Sequence, residues 1–177
     1  MLKFPAHASA PEVPGRALDI AIIGRPGSGK SLPVIGLITD RLGKGHEVRV
    51  LDRGRQRLSL CRALGGTHVT LKTDGALEAL QFGDTSLTVY ELGELHVPVD
   101  GMPFDRELTK DDLLVVDEIY SARQLLPDLG EILERVVAQQ ANFCLVGQCI
   151  DDVDELMNRS RRAYLMELSA VTVMERT

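Results

Sequence analysis

The segment Gly24-Arg25-Pro26-Gly27-Ser28-Gly29-Lys30-Ser31 constrains the fold of this chain more than any other. It satisfies G-x-x-x-x-G-K-[ST] in full. Before it, Leu18 to Ile23 is a nearly continuous apolar run, the pattern of a strand buried on both faces. After it, Leu32, Ile35, Ile38 and Leu42 recur at helical spacing, and Gly43 and Gly45 end the pattern. A helix that starts at such a turn offers unpaired N–H groups and a partial positive charge, which together attract a polyphosphate. Glycines let the backbone wrap close to it, where a Cβ would collide or forbid the dihedrals. Gly24, Arg25, Pro26, Gly27, Ser28, Gly29, Lys30, Ser31 and Leu32 are therefore expected to bind the phosphates of ATP. Lys30 is expected to reach the β- and γ-phosphates and the Ser31 hydroxyl to hold Mg²⁺. Pro33 falls in the first helical turn, where a missing N–H is tolerated.

The remaining pattern alternates. His46 to Asp52 reads as a strand, Arg55 to Leu64 as a helix closed by Gly65 and Gly66, and Thr67 to Lys72 as a strand. A turn at Asp74-Gly75 leads to a short helix expected over Ala76 to Gln81, and Ser86 to Leu92 reads as a strand. Gly93 to Asp112 looks irregular, with Pro98, Gly101 and Pro103. Leu113 to Val116 and Phe143 to Val146 are short apolar runs with the length of buried strands. Between them lies the helical stripe Leu129, Ile132, Leu133, Val136 and Val137, with Asp128 and Glu131 placed as a capping box. Asp152 with Glu155 marks a further helix start, and Tyr164 to Leu168 with Val171 to Met174 a closing hairpin. Strands alternating with helices predict an α/β sandwich with a mostly parallel central sheet. Residues 1–16, rich in proline and small side chains, read as a flexible arm, and 17–177 as one ATPase domain.

Two strand ends carry further chemistry. Asp117 and Glu118 follow Leu113-Leu114-Val115-Val116, so Asp117 is expected to serve the Mg²⁺ shell and Glu118 to polarise the attacking water. Gln148, after the strand ending at Val146, can touch the γ-phosphate or that water. Lys30, Glu118 and Gln148 are thus the catalytic candidates, with Ser31 and Asp117 as metal ligands. Arg53, Arg55, Arg57 and Arg62 form one basic cluster and Arg159, Arg161 and Arg162 another, each read first as a solvated helix face.

Composition excludes several functions. Twenty basic against 26 acidic side chains argue against a duplex-coating protein, and the absence of tryptophan argues against a base-stacking platform. Three cysteines without a C-x-x-C pair make neither a disulfide framework nor a zinc site, and read as reduced thiols of a cytoplasmic protein. No apolar run is long enough for a transmembrane segment, and the N-terminus lacks a signal-peptide layout.

The chain resembles the motor domain of conjugative-transfer (type IV secretion) ATPases of the TraC kind, in the FtsK–HerA superfamily. The resemblance rests on GRPGSGKS at 24–31, VLDRGRQRLSLCRALGG at 50–66, LTVYELGEL at 87–95, LLVVDE at 113–118 and LVGQ at 145–148. It implies a RecA-like P-loop NTPase fold, ATP hydrolysis with Mg²⁺, a homo-oligomeric ring and work at a secretion channel on the inner membrane, with DNA or protein as cargo. The family's basic residues before the last core strand appear here as Gln139 and Gln140, which leaves Arg123, Arg135, Arg159, Arg161 and Arg162 to act across a subunit boundary. The family's channel-docking domain and helical insertion have no counterpart in these residues. Two alternatives stand beside the motor: a viral-type genome-packaging ATPase with capsid partners, and a nucleotide-binding structural or regulatory module with little turnover.

Overall fold

A computed structural model describes residues 19–93, 107–153, 156, 163–167 and 172–175. The expected N-terminal arm, Glu155 and the cluster Arg159, Arg161 and Arg162 lie outside them. The elements in chain order are β1 (Asp19–Ile23), α1 (Ser31–Gly43), β2 (Val48–Asp52), α2 (Leu58–Ala63), β3 (Thr67–Leu71), β4 (Leu77–Gln81), β5 (Leu87–Glu91), β6 (Leu113–Val116), α3 (Ile119–Leu125), α4 (Leu129–Ala138), β7 (Asn142–Gly147), β8 (Ala163–Glu167) and β9 (Thr172–Glu175).

The strands form one sheet in the order β4-β3-β5-β2-β6-β7-β1-β8-β9. All pairs from β3 to β8 are parallel, while β4 and β9 add antiparallel edges. Parallel pairing buries both faces, which is why these strands read as apolar runs rather than alternations. Ile22, Val50, Val89, Val115 and Val146 pack on one face against Val34 and Ile38 of α1 and Cys61 of α2. Ala21, Leu51, Leu114, Val116, Phe143 and Leu145 pack on the other against Ile119 of α3 and Ile132, Leu133 and Val136 of α4. The result is three layers, and each fully buried aliphatic side chain contributes about 1.5–3 kcal/mol.

Three helices stop in the same way. Gly45, Gly65 and Gln140 take the left-handed conformation after α1, α2 and α4, at φ 81°, 69° and 59°. In each, that residue and the next donate back to the last turn: Gly45 to Leu42 and His46 to Arg41, Gly65 to Arg62 and Gly66 to Cys61, Gln140 to Val137 and Ala141 to Val136. Gly66 is required for a second reason. A Cβ there would lie 2.8 Å from the Leu87 carbonyl oxygen and 3.0 Å from its Cβ.

Some sequence expectations fail on local physics. Residues 77–81 are strand, not helix: Asp74-Gly75 is a hairpin turn, and β4 pairs antiparallel with β3 from Leu71↔Leu77 to Thr67↔Gln81. The α2 helix starts at Leu58 rather than Arg55, because residues 53–57 are drawn into a tight loop described below. The short α3 directly after Asp117-Glu118 has no signal in the sequence pattern. The capping box at Asp128 is not made. Asp128 sits at φ −86°, ψ 9°, outside the extended region an N-cap needs, and its buried Oδ1 has no partner. Ile150–Asp152 forms one 3₁₀ turn, while the rest of the helix expected from Asp152 with Glu155 falls mostly outside the described residues.

Replacing Gly66 by alanine should destabilise the fold by about 1–3 kcal/mol, because the atom closest to the new methyl is the Leu87 carbonyl oxygen, which cannot swing away. Gln140→Gly should stabilise it by about 1 kcal/mol by relieving the left-handed strain. Urea denaturation midpoints of the two variants should move in opposite directions.

Candidate nucleotide site at the strand ends

Parallel strands bring their carboxyl ends to one edge of the sheet, and every residue of the sequence-read site lies there. The strand β7 lies between β1 and β6, in register at Ile22↔Val146 and Val115↔Cys144. The Gly24–Ser31 loop, Gln148 and the Asp117-Glu118 pair therefore leave three neighbouring strands side by side. The Gly24 N–H donates to the Gly147 carbonyl at 3.3 Å, tying the loop to the end of β7.

The loop is a glycine-shaped hollow. Gly27 and Gly29 have φ of 77° and 90°, and a Cβ at either would meet open space. Ser28 N–H closes on Arg25 and Leu32 N–H on Gly29 through backbone bonds. The Lys30 ammonium lies over the loop, donating to the carbonyls of Gly24 at 2.6 Å and Arg25 at 3.2 Å. It is an adjustable cation at the hollow's rim. The donors suit a phosphate chain: helix-start amides, a lysine, and an exposed Ser31 at the head of α1.

Glu118 is the one acidic residue here held in a strained backbone, at φ 53° and ψ 58°. A non-glycine residue in that region costs on the order of 1–3 kcal/mol, and such strain collects at functional positions. Its carboxylate is half-buried and accepts a long contact from the Gln148 amide at 3.4 Å. That distance leaves room to tighten around a third group.

Asp117 is built differently. Its carboxylate is buried, and Oδ2 accepts from the Arg57 guanidinium through Nε at 2.8 Å and through a second nitrogen at 2.6 Å. Its Oδ1 accepts the Glu118 N–H at 3.1 Å. Arg57, read from the sequence as part of a solvated basic face, is 4 % exposed. The cluster is thus split: Arg53 and Arg55 are exposed, Arg62 stacks over the Phe82 ring at 5.2 Å, and Arg57 turns inward.

What turns it inward is a row of strand-end carboxylates in which Glu91 and Asp52, given no role from the sequence, join Asp117. Glu91 and Asp52 are register partners on β5 and β2, and Asp117 follows the next strand, β6. Glu91 accepts three backbone N–H groups, from Gly54 at 2.9 Å, Arg55 at 2.6 Å and Gly93 at 2.6 Å. Asp52 Oδ2 accepts the Arg57 N–H at 2.7 Å. Gly54 and Arg55 adopt positive φ to aim those amides. The loop from 53 to 57 is wrapped on the row, and the Arg57 side chain falls onto Asp117. The segments 50–66 and 87–93 meet here. Their signal was present in the sequence as acidic residues closing β2 and β5.

The thiols of Cys61 and Cys144 are buried, and desolvation pushes them up to about 11 and about 12, so they behave as small apolar groups. Burial pushes the Asp52 carboxyl up to about 6, opposed by the Arg57 N–H and reinforced by Glu91 and Asp117. Because the folded state holds that proton more tightly, the associated stability is full below pH 4 and is lost as pH rises through about 6. The loss amounts to roughly 3 kcal/mol. Urea titrations between pH 4 and 7.5 should show this decline, and Asp52→Asn should flatten it.

No family model and no curated protein matches the sequence. Among solved structures, the chain is similar to VirB4 of Thermoanaerobacter pseudethanolicus, with a TM-score of 0.60 at 13% identity, covering 84% of this chain and 76% of that one. At that identity the likeness is one of fold. The chain is an α/β three-layer sandwich with a mostly parallel central sheet, a fold it shares with that structure.

Proposed function

We propose that this chain is a Mg²⁺-dependent ATPase motor domain of the type IV secretion kind, working as an oligomer that energises transfer of DNA or protein. The observation that carries the reading is the meeting of the Gly24–Ser31 loop, Glu118 and Gln148 at the ends of three adjacent strands, β1, β6 and β7. The fold likeness to VirB4 and the sequence resemblance to transfer ATPases support it from two directions.

In this reading the loop amides and Lys30 bind the phosphate chain of ATP. Glu118 accepts the proton of the water that attacks the γ-phosphate, and Gln148 orients that water or reports the γ-phosphate. Ser31 and Asp117 would hold Mg²⁺, which when bound neutralises charge on the phosphate oxygens. Arg123 and Arg135, both exposed, are the described candidates for an arginine acting on a neighbouring subunit's nucleotide. Among the described residues no helix is long and apolar enough to cross a membrane. The protein would meet a membrane through a channel partner.

One observation favours a second reading, a nucleotide-binding regulatory module with little turnover: Asp117 is engaged by Arg57 inside the chain. The two readings separate on substitution. Lys30→Ala should abolish binding of a fluorescent ATP analogue. Glu118→Gln should keep wild-type affinity and lose at least about 100-fold in phosphate release. A Glu118→Gln protein that turns over like the wild type rejects Glu118 as the base. Wild-type protein that binds ATP and leaves it intact for hours selects the module.

A further inference from the structure

The Arg57–Asp117 pair sits where the proposed metal ligand should be open, and the structure contains a second acceptor for the same arginine. Asp52 is 1 % exposed, and its Oδ1 is buried with no hydrogen-bond partner. Its Oδ2 already holds the Arg57 main chain at 2.7 Å. A buried carboxylate oxygen without a hydrogen bond is costly, and the Arg57 charge already acts on the Asp52 carboxyl. The preceding loop is held by the Gly54 and Arg55 amides on Glu91, and the Arg57 N–H is held on Asp52.

We infer that Arg57 is a positioning residue that keeps Asp117 engaged at rest and passes to Asp52 when Asp117 turns to magnesium, so that metal-dependent nucleotide binding is gated by the 53–57 loop. The inference rests on the proposed nucleotide site and adds a regulator to it. Arg57 touches neither nucleotide nor water in this scheme. It acts by deciding when the Asp117 carboxylate is available. Asp52 and Asp117 compete for one cation across adjacent strands, and the competition links the ends of β2 and β6 to the head of α2. Whatever displaces the loop, a neighbouring subunit or a channel partner, would also change the magnesium response.

The measurement is the ratio of ATP-analogue affinity with Mg²⁺ to that in EDTA, by equilibrium fluorescence on the full chain. Neutralising the receiving group in Asp52→Asn leaves Arg57 on Asp117, so the ratio should fall at least about fivefold, with the EDTA affinity unchanged. Arg57→Gln frees Asp117, so the ratio should rise. A purely structural pair would move neither ratio, or lower both together. Should Arg57→Gln fail to fold, Asp52→Asn still decides, because it is isosteric and keeps an acceptor for the Arg57 N–H. Equal ratios in wild type and Asp52→Asn overturn the inference while leaving the nucleotide site standing. Absence of analogue binding in the wild type overturns the site itself.

Discussion

Parallel pairing of β1 with β7 and of β7 with β6 is the constraint on which the site depends. It fixes one strand's width on either side of Gln148 and sends three loops off the same edge. Without that register the glycine loop and the Glu118 carboxylate would have no reason to meet. The core enforces it, because each strand in the row presents apolar side chains to both helical layers and a slip by one residue would exchange its two faces.

A second constraint runs beside the first. Glu91, Asp52 and Asp117 close three adjacent strands with carboxylates, and like charges in a row must be satisfied or neutralised. The chain answers with five backbone amides and one guanidinium, all from residues 53–57 except the Gly93 and Glu118 amides. The loop is therefore as much a product of strand-end electrostatics as of its own glycine. It also explains why α2 begins later than its apolar spacing implies. Residues with helical periodicity are captured by acceptors that outcompete a first helical turn.

Much of the architecture was legible in the sequence because its signals are local. Buried parallel strands read as short apolar runs, and the glycine loop has a fixed spacing. The paired stop at Gly65-Gly66 announced the end of α2. What escaped the sequence was settled by tertiary context. Leu77 and Leu80 have helix-compatible spacing, yet the preceding hairpin turn decides for an exposed edge strand. Arg57 looks like its neighbours Arg53 and Arg55 until three strands are placed side by side. The Gln139-Gln140 pair has a conformational task here, since Gln140 supplies the left-handed residue that ends α4.

The proposed nucleotide site stands on the backbone amides of residues 24–32 as a phosphate cradle. Amide hydrogen exchange across that segment, with and without Mg²⁺ and ATP, addresses it at the atoms concerned. Slowed exchange concentrated in the loop and the first turn of α1, with the opposite sheet edge at β4 unaffected, is the predicted result. Identical exchange of the loop in both conditions, at nucleotide concentrations that saturate ordinary ATPases, would contradict it.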